Sequence, residues 1–383
     1  MESVTHFLVG AAIGRAAFNR RTAYATLACS LAAEAADIDV LWFLRGPVAY
    51  LKHHRGITHT FLAAPLIALA TIAFIWLLDR YWFQRRKKSS TTDNDRVPPV
   101  PRFQGPGNGK INYPWLFAAT LTCALSHILL DFTNNYGVRP FFPFNARWYS
   151  LDLVFIAEPI LWLIFALAFA IPAILNLTDR EILNRYTYSY HGRISAIIAL
   201  SLMAALWTLR LTTHTIALNQ FNSTQVATEP VTRVALMPYP INPFNWHVIM
   251  ETPHTFQTAE LNTLTGAIDT DLTYNVIPKP VDTPAVEAAK QTELGKVYLD
   301  WGRWAIPTDL GPEPIPLDDP DALPTPSLPP PHTWTTIRFD DLRFQYDFRG
   351  SGLTTGPSPL TGWVYIVDNS QDAGEVYGHR VQK

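Results

Sequence analysis

At 383 residues the chain is long enough for two domains of ordinary size, and its formal net charge of −2, with no basic stripe interleaved with aromatics, argues against nucleic acid as a partner. Cys29 and Cys123 both sit in apolar segments, which excludes a disulfide framework and a zinc-finger thiolate cluster. The hydrophobic fraction of 48% is unevenly spread: the long apolar runs fall before residue 215, and the remainder is polar and rich in Pro and Thr.

Residues 1–18 lack the basic n-region and small-residue cleavage site of a secretory signal, so they are expected to stay in the mature chain. Apolar stretches cover 4–18, 22–44, 57–83, 113–130, 153–175 and 194–213, each long enough or nearly so for a helix crossing ~30 Å of hydrocarbon. The first is the shortest and reads as a half-span or tilted helix. Pro65, Pro159 and Pro172 lie in or near these stretches, where neighbouring helices re-satisfy the freed carbonyls. The expected class is an integral membrane bundle of about five to six helices over 1–214.

Direction follows from Lys and Arg in the short connections. Arg85, Arg86, Lys87, Lys88, Arg96, Arg102 and Lys110 put the loop after Phe83 inside, and Arg15, Arg20 and Arg21, then Arg180, Arg185 and Arg193, repeat the bias at alternate connections. The chain then sits in the cell (inner) membrane with its N-terminus, the loops 45–56 and 132–152, and everything after His214 on the extracytoplasmic side. Tyr81, Trp82, Tyr186 and Tyr188 mark the inner interface, Trp148 and Tyr149 the outer one.

Residues 215–383 read as a small antiparallel β domain, with period-two runs at 232–237, 246–250, 296–301, 333–339 and 362–367. The proline-dense stretch 307–331 reads as an extended loop. Pro240, Asn242, Pro243, Phe244, Asn245, Trp246 and His247 form a cluster that opens the domain as a packed turn or roofs the membrane site. His247 and His254 read as partners of ordinary polar groups, and residues 339–344 as a turn with a local ion pair, since calcium-loop spacing is absent.

The ionisable residues that intrude on the apolar stretches are His6, Glu34, Asp37, Asp39, His59, His127 and Asp131, with His53, His54 and Arg55 just before the third. Such residues are costly in a bilayer and are usually functional. In the orientation above, His6, Asp37, Asp39, His59, His127 and Asp131 all arrive at the outer ends of their helices. His127 and Asp131, four apart on a helix, share one face and can reach one ion. Asp37 and Asp39 diverge by about 200° in a regular helix, so both can bind metal only if the helix loosens there. A lone HxxxD is more often a capping or buried hydrogen-bonded pair, and a lone DxD often just sits in the headgroup zone. It is the convergence on one membrane face that points to a metal site. Imidazole and carboxylate without thiolate suit zinc first, then manganese or iron.

Thr5-His6-Phe7, Asp37-Ile38-Asp39, His54-Arg55-Gly56-Ile57-Thr58-His59-Thr60, Ser126-His127-Ile128-Leu129-Leu130-Asp131 and Asn135-Tyr136-Gly137 resemble, in that order, the motifs of the YdjM-like membrane-bound metal-dependent hydrolases. The resemblance continues in Asp152 and Glu158. It implies His6, Asp37, Asp39, His59, His127 and Asp131 as metal ligands, with His54 and Arg55 placed to bind substrate or add a ligand. A looser likeness is to the sites of zinc-dependent phospholipase C and P1-type nucleases, which hydrolyse phosphoesters. The expected chemistry is hydrolysis by metal-activated water, with Asp39 or Asp152 as base and Arg55 pairing with a phosphate of a lipid or lipid-linked substrate. Two other classes compete: an ion or solute transporter, disfavoured by the absence of midplane charges and of an inverted repeat, and a non-catalytic protein whose metal only ties helices together.

Overall fold

The computed structural model describes residues 2–83, 110–183, 191–224, 226–227, 229–270, 276–314, 333–346, 360–367 and 371–377. The basic residues from Arg85 to Arg102, as well as Arg185, Tyr186 and Tyr188, lie outside them. The chain forms two compact units that no single cut separates. One comprises Met1–Asp39, Arg55–Thr213 and Pro238–Pro243; the other comprises Val40–His54, His214–Met237 and Phe244–Lys383.

The first unit is helical. Helix α1 (Ser3–Ile13) starts where the Glu2 carboxylate accepts the orphan amides of Val4 and Thr5 at 2.8 and 3.1 Å. Its companion α2 (Ala25–Glu34) does not run on as one regular helix to residue 44, as the apolar stretch suggested: it passes into a 3₁₀ segment, Ala35–Arg45. The two helices touch backbone to backbone, because a Cβ on Gly10 would lie 2.5 Å from the Cys29 carbonyl oxygen. After α3 (Pro47–His53), which belongs to the second unit, come α4 (Ala63–Leu78), α5 (Tyr113–Thr133), α6 (Pro159–Leu183) and α7 (His191–Asn222).

Among the described residues, three helices are long and apolar enough to cross a membrane: Ala63–Tyr81, Tyr113–Thr133 and Gly192–Asn222; Ser3–Phe18 and Pro159–Leu175 are shorter apolar helices. Of the three, α5 is the central one, 56% buried against 22% for each of the others. It packs on α2 through Cys29, Ala32, Ala33, Ala119 and Cys123. A second cluster of Val9, Leu161, Phe165, Ala196, Ala199 and Leu206 joins α1, α6 and α7. Small side chains at the α2–α5 contact let these helices approach closely, which is how apolar helices gain contact where lipid competes for their surface.

Among the described residues, the second unit holds two antiparallel sheets. Strands β1 (Arg233–Pro238), β2 (Asn245–Glu251), β3 (Thr255–Asn262) and β4 (Ile268–Asp269) follow in that order, and β5 (Val276–Pro278) also pairs with β3. Trp246, Val248 and Met250 alternate into a core with Ala217 and Phe221 at the end of α7. Helices α8 (Pro284–Gln291) and α9 (Glu293–Trp301) pack on the meander β6 (Ala305–Pro314), β7 (Thr333–Asp341), β8 (Gly362–Val367) and β9 (Gln371–Tyr377).

Two readings of the sequence are corrected here. Residues 296–301 are not a strand but the body of α9. Thr292 caps it by accepting from Gly295 N, and Leu294, Tyr298 and Trp301 are buried at helical spacing, which overrides the short alternation. The proline-rich stretch begins in a strand, β6, whose Pro307, Pro312 and Pro314 are tolerated because β6 is an edge with a register shift between Asp309 and Pro312. Residues 315–331 of that stretch lie outside the described residues.

Candidate metal centre

The geometry begins with where helices end. Because α2 stops at Glu34 and tightens to 3₁₀, Asp37 and Asp39 are released from regular helical spacing. The Oδ1 of Asp37 lies 3.2 Å from His59 Nε2, while the Oδ2 of Asp39 lies 3.4 Å from His59 Nδ1. His59 sits in a 3₁₀ turn, Ile57–His59, just before α4. His127 and Asp131 come from one face of α5, with Nε2 and Oδ2 3.4 Å apart. His6, one turn into α1, stacks on His127 with ring centroids 3.7 Å apart and puts Nε2 3.3 Å from Asp131 Oδ1.

Among the described residues, two groups of side chains could therefore hold a metal ion, His6 with Asp37 and His127, and His59 with His127 and Asp131. His59 Nε2 lies 3.2 Å from Asp37 Oδ1 and 3.5 Å from Asp131 Oδ2, and His127 Nε2 lies 3.7 and 3.4 Å from the same two oxygens. These imidazole–carboxylate separations are close to the ligand–ligand spacing of about 3.3–3.6 Å around an ion with bonds of ~2.0–2.2 Å. His127 Nδ1 donates to the Ala33 carbonyl at 2.6 Å, so that in the neutral ring the lone pair is on Nε2, a buried atom with no hydrogen-bond partner among the described residues. With the imidazoles neutral, Asp37, Asp39, Asp131 and Arg55 carry a net of two negative charges in an interior where Asp131 is 0% exposed, a deficit that a divalent cation matches.

The surrounding residues hold this arrangement. Arg55 is itself buried; one guanidinium nitrogen lies 2.9 Å from Asp131 Oδ1, and another donates to the Gly137 carbonyl at 2.7 Å and to Asn134 Oδ1 at 3.4 Å. Its ring neighbour is Tyr136, 4.5 Å from the guanidinium carbon. Arg55 adopts a left-handed backbone (φ 54°) in which its own amide donates to Asp39 Oδ2 at 2.8 Å. Gly137 (φ 92°) closes the turn, and a Cβ there would meet the Tyr149 carbonyl at 3.1 Å.

The structure thus brings His6, Asp37, His59, His127 and Asp131 together and assigns different places to the remaining sequence candidates. Asp39 stands behind His59, on the nitrogen opposite the cluster. Arg55 neutralises a ligand carboxylate from within the protein. His54 falls in the second unit, its ring against Tyr50 at 4.7 Å, and belongs to neither ligand group. Asp152 is also in neither group; it is half-buried and left-handed (φ 53°) and accepts from Ser150 Oγ at 2.5 Å. Residues given no site role from the sequence take part: Ser3 donates to Asp37 Oδ2 at 3.2 Å, Asn134 donates to Asp131 Oδ1 at 3.3 Å, and half-buried Glu34, noted only as an ionisable residue in an apolar stretch, lies within electrostatic reach of Asp37 and His127. Glu34 had a signal, one helical turn before Asp37; Ser3 had none.

Comparisons with known proteins agree with a membrane assignment. The chain is similar to the uncharacterized protein YfhP of Bacillus subtilis (strain 168), 23% identical over 397 residues that cover 97% of this chain and 98% of the relative. No solved structure matches it. A family model described as YdjM inner membrane protein matches residues 1–217, which hold all five clustered side chains and the three candidate spans up to residue 217, and the chain belongs to that family.

Proposed function

We propose that this protein is a membrane-bound metal-dependent hydrolase acting on a phosphoester or related ester of a lipid or lipid-linked substrate. The observation that carries the reading is the donor set: His59 and His127 each within 3.2–3.7 Å of the carboxylates of Asp37 and Asp131, with His6 stacked alongside. Zinc is the first choice of ion, with manganese or iron next, because the donors are imidazole and carboxylate without thiolate. When bound, such an ion supplies Lewis acidity and lowers the pKa of water to ~7.

The chain's own residues do the rest. Asp39, with Thr58 Oγ1 3.0 Å from the same His59 Nδ1, fixes the tautomer that turns Nε2 toward the cluster. Ala33 does the same for His127 through its carbonyl. Arg55 offsets the charge of Asp131 and is already engaged there, so substrate phosphate reaches the cluster from the Asp37 side, the one ligand carboxylate with 15% of its side chain open. Glu34, half-buried beside Asp37, is the carboxylate set to take a proton from water arriving on that side, the role that the sequence suggested for Asp39 or Asp152.

The topology belongs to the same proposal. The apolar stretches form a bundle of about five to six helices with the metal centre and the β-rich second unit on the extracytoplasmic side, supported by the Lys and Arg bias of alternate connections.

A specific feature favours a second reading. His6, His59, His127 and Asp131 are fully buried, as suits a closed structural site, whereas a catalytic ion keeps a position for water. Elemental analysis of the purified protein, joined to a panel of phosphoester and phospholipid substrates with and without chelator, separates the two. Bound metal with chelator-sensitive turnover is the expected result; bound metal without turnover on any substrate leaves the structural role, and absence of metal sinks both.

A further inference from the structure

The loop between α5 and α6 presents a feature that the metal centre does not use. Its tip, residues 143–147, is exposed throughout, and Phe144 is 87% exposed. Phe141, 49% exposed, meets the ring of Phe61 at 5.5 Å, and the Phe61 amide donates to the Pro140 carbonyl at 3.0 Å. Phe61 and its exposed neighbour Leu62 directly precede Ala63, the first residue of the candidate span Ala63–Tyr81, on which Leu66 and Leu69 are exposed in turn. Through Phe141, three residues before Phe144, the tip therefore adjoins the apolar outward face of a helix long enough to meet lipid.

We propose that this loop is a lipid-binding element that inserts Phe144 and Phe141 into the leaflet at the metal-centre end of the bundle. The polar rim has the chemistry of a headgroup zone. Arg147 is exposed beside the ring of Tyr149, with the guanidinium carbon 5.6 Å from its centroid, and Asn145 donates to the Tyr149 hydroxyl at 3.2 Å. Aromatic side chains with polar tips and a guanidinium for lipid phosphate are what a bilayer interface selects. The tip is also preformed. Val138 and Tyr149 exchange both backbone hydrogen bonds at 2.9 Å, and inside this pair Phe142 N donates to the Arg139 carbonyl and Asn145 N to the Phe141 carbonyl. Insertion then orders little that is not already ordered. The base of the loop carries Asn134 and Gly137, the partners of Asp131 and Arg55, so the depth of the tip sets the height of the metal centre relative to the headgroups. The inference stands whether or not the centre is catalytic.

The test uses the full-length protein in nanodiscs of phosphatidylethanolamine and phosphatidylglycerol. Phe144→Cys is labelled with an environment-sensitive fluorophore, the native thiols of Cys29 and Cys123 being fully buried. Val281→Cys, 77% exposed in the second unit, serves as the aqueous control. Bromine on the acyl chains is expected to quench the Phe144 label at least about threefold more than iodide in the buffer does, with the order reversed at Val281. Quenching of the Phe144 label by iodide with no response to brominated lipid overturns the proposal, and so does protection from both, which would mean a protein partner or a second copy. If the Phe144 variant does not fold, Ala146→Cys, exposed in the same tip, carries the label and the same criteria.

Discussion

Asp37 and Asp39 take hold of opposite nitrogens of one imidazole: Asp37 Oδ1 lies 3.2 Å from His59 Nε2 and Asp39 Oδ2 lies 3.4 Å from His59 Nδ1. Two residues that look alike in sequence are thereby given unlike tasks. Asp37 faces the space shared with His127 and Asp131, whereas Asp39 orients the ring from behind. Asp39→Asn is expected to weaken metal affinity by about 10–100-fold while leaving the site fillable at high metal. Asp37→Asn should lower the stoichiometry itself. Competition against a chromogenic chelator measures both; equal loss of stoichiometry in the two variants would show Asp39 to be a ligand.

His127 contributes to both ligand groups and Asp131 touches His6, His59 and His127. His127→Ala and Asp131→Ala should each reduce bound metal to below about a tenth of the wild-type content, read by elemental analysis after identical purification. Any turnover found for the wild-type protein should vanish with it. Full metal content in the double variant would refute the centre.

Arg55 supplies a counter-charge that no other guanidinium among the described residues gives to Asp131. Breaking one partner of a buried pair leaves the other uncompensated, so Arg55→Met should destabilise the folded protein by about 3–5 kcal/mol. Saturating divalent metal should recover part of this, because ligand at ~1,000-fold over its Kd adds about 4 kcal/mol to whichever state binds it. Thermal melts in detergent with and without metal check the prediction; the same midpoint for Arg55→Met and wild type would count against it.

Within α7, Arg210 is buried against Glu158, 2.8 Å away, and donates to the carbonyls of Tyr239 at 2.8 Å and Asn242 at 3.1 Å, while Glu158 accepts from Ile241 N at 3.0 Å. The pair ties the returning segment Pro238–Pro243 to the helical unit. Arg210→Met or Glu158→Gln alone should each cost about 3–5 kcal/mol, and the double variant less than their sum. A double-mutant cycle on unfolding measures the coupling, and strict additivity would mean the two side chains act independently.

His247 on β2 is fully buried against Tyr346, with ring centroids 5.0 Å apart, and burial lowers its pKa from 6.5 to about 4. The unfolded chain takes up a proton near pH 6.5 and the folded chain does not, so the sign is fixed: stability is full above pH 6.5 and falls as pH drops toward 4. The loss is about 3 kcal/mol at most. Melting the wild type and His247→Gln across this window should show the slope flattening in the variant; identical slopes would remove His247 as its source.

Local order was legible in the chain. Apolar runs long enough for membrane helices, the i, i+4 pair of His127 and Asp131, and the strands at 246–250 and 362–367 all follow from backbone periodicity, which each segment carries by itself. Other features were decided only by tertiary structure, because they depend on where a helix stops and what packs on it. Asp37 and Asp39 part company because α2 gives way to a tighter 3₁₀ turn. The segment 296–301 is helical because Leu294, Tyr298 and Trp301 find a core on one side, although its residues alternate like a strand. His54 and Arg55, adjacent in the chain, fall in different units, since the left-handed backbone of Arg55 turns the chain back toward Asp39 and Asp131. Residue types and spacing determined that histidines and carboxylates would be buried in an apolar chain; non-local packing determined which of their atoms meet.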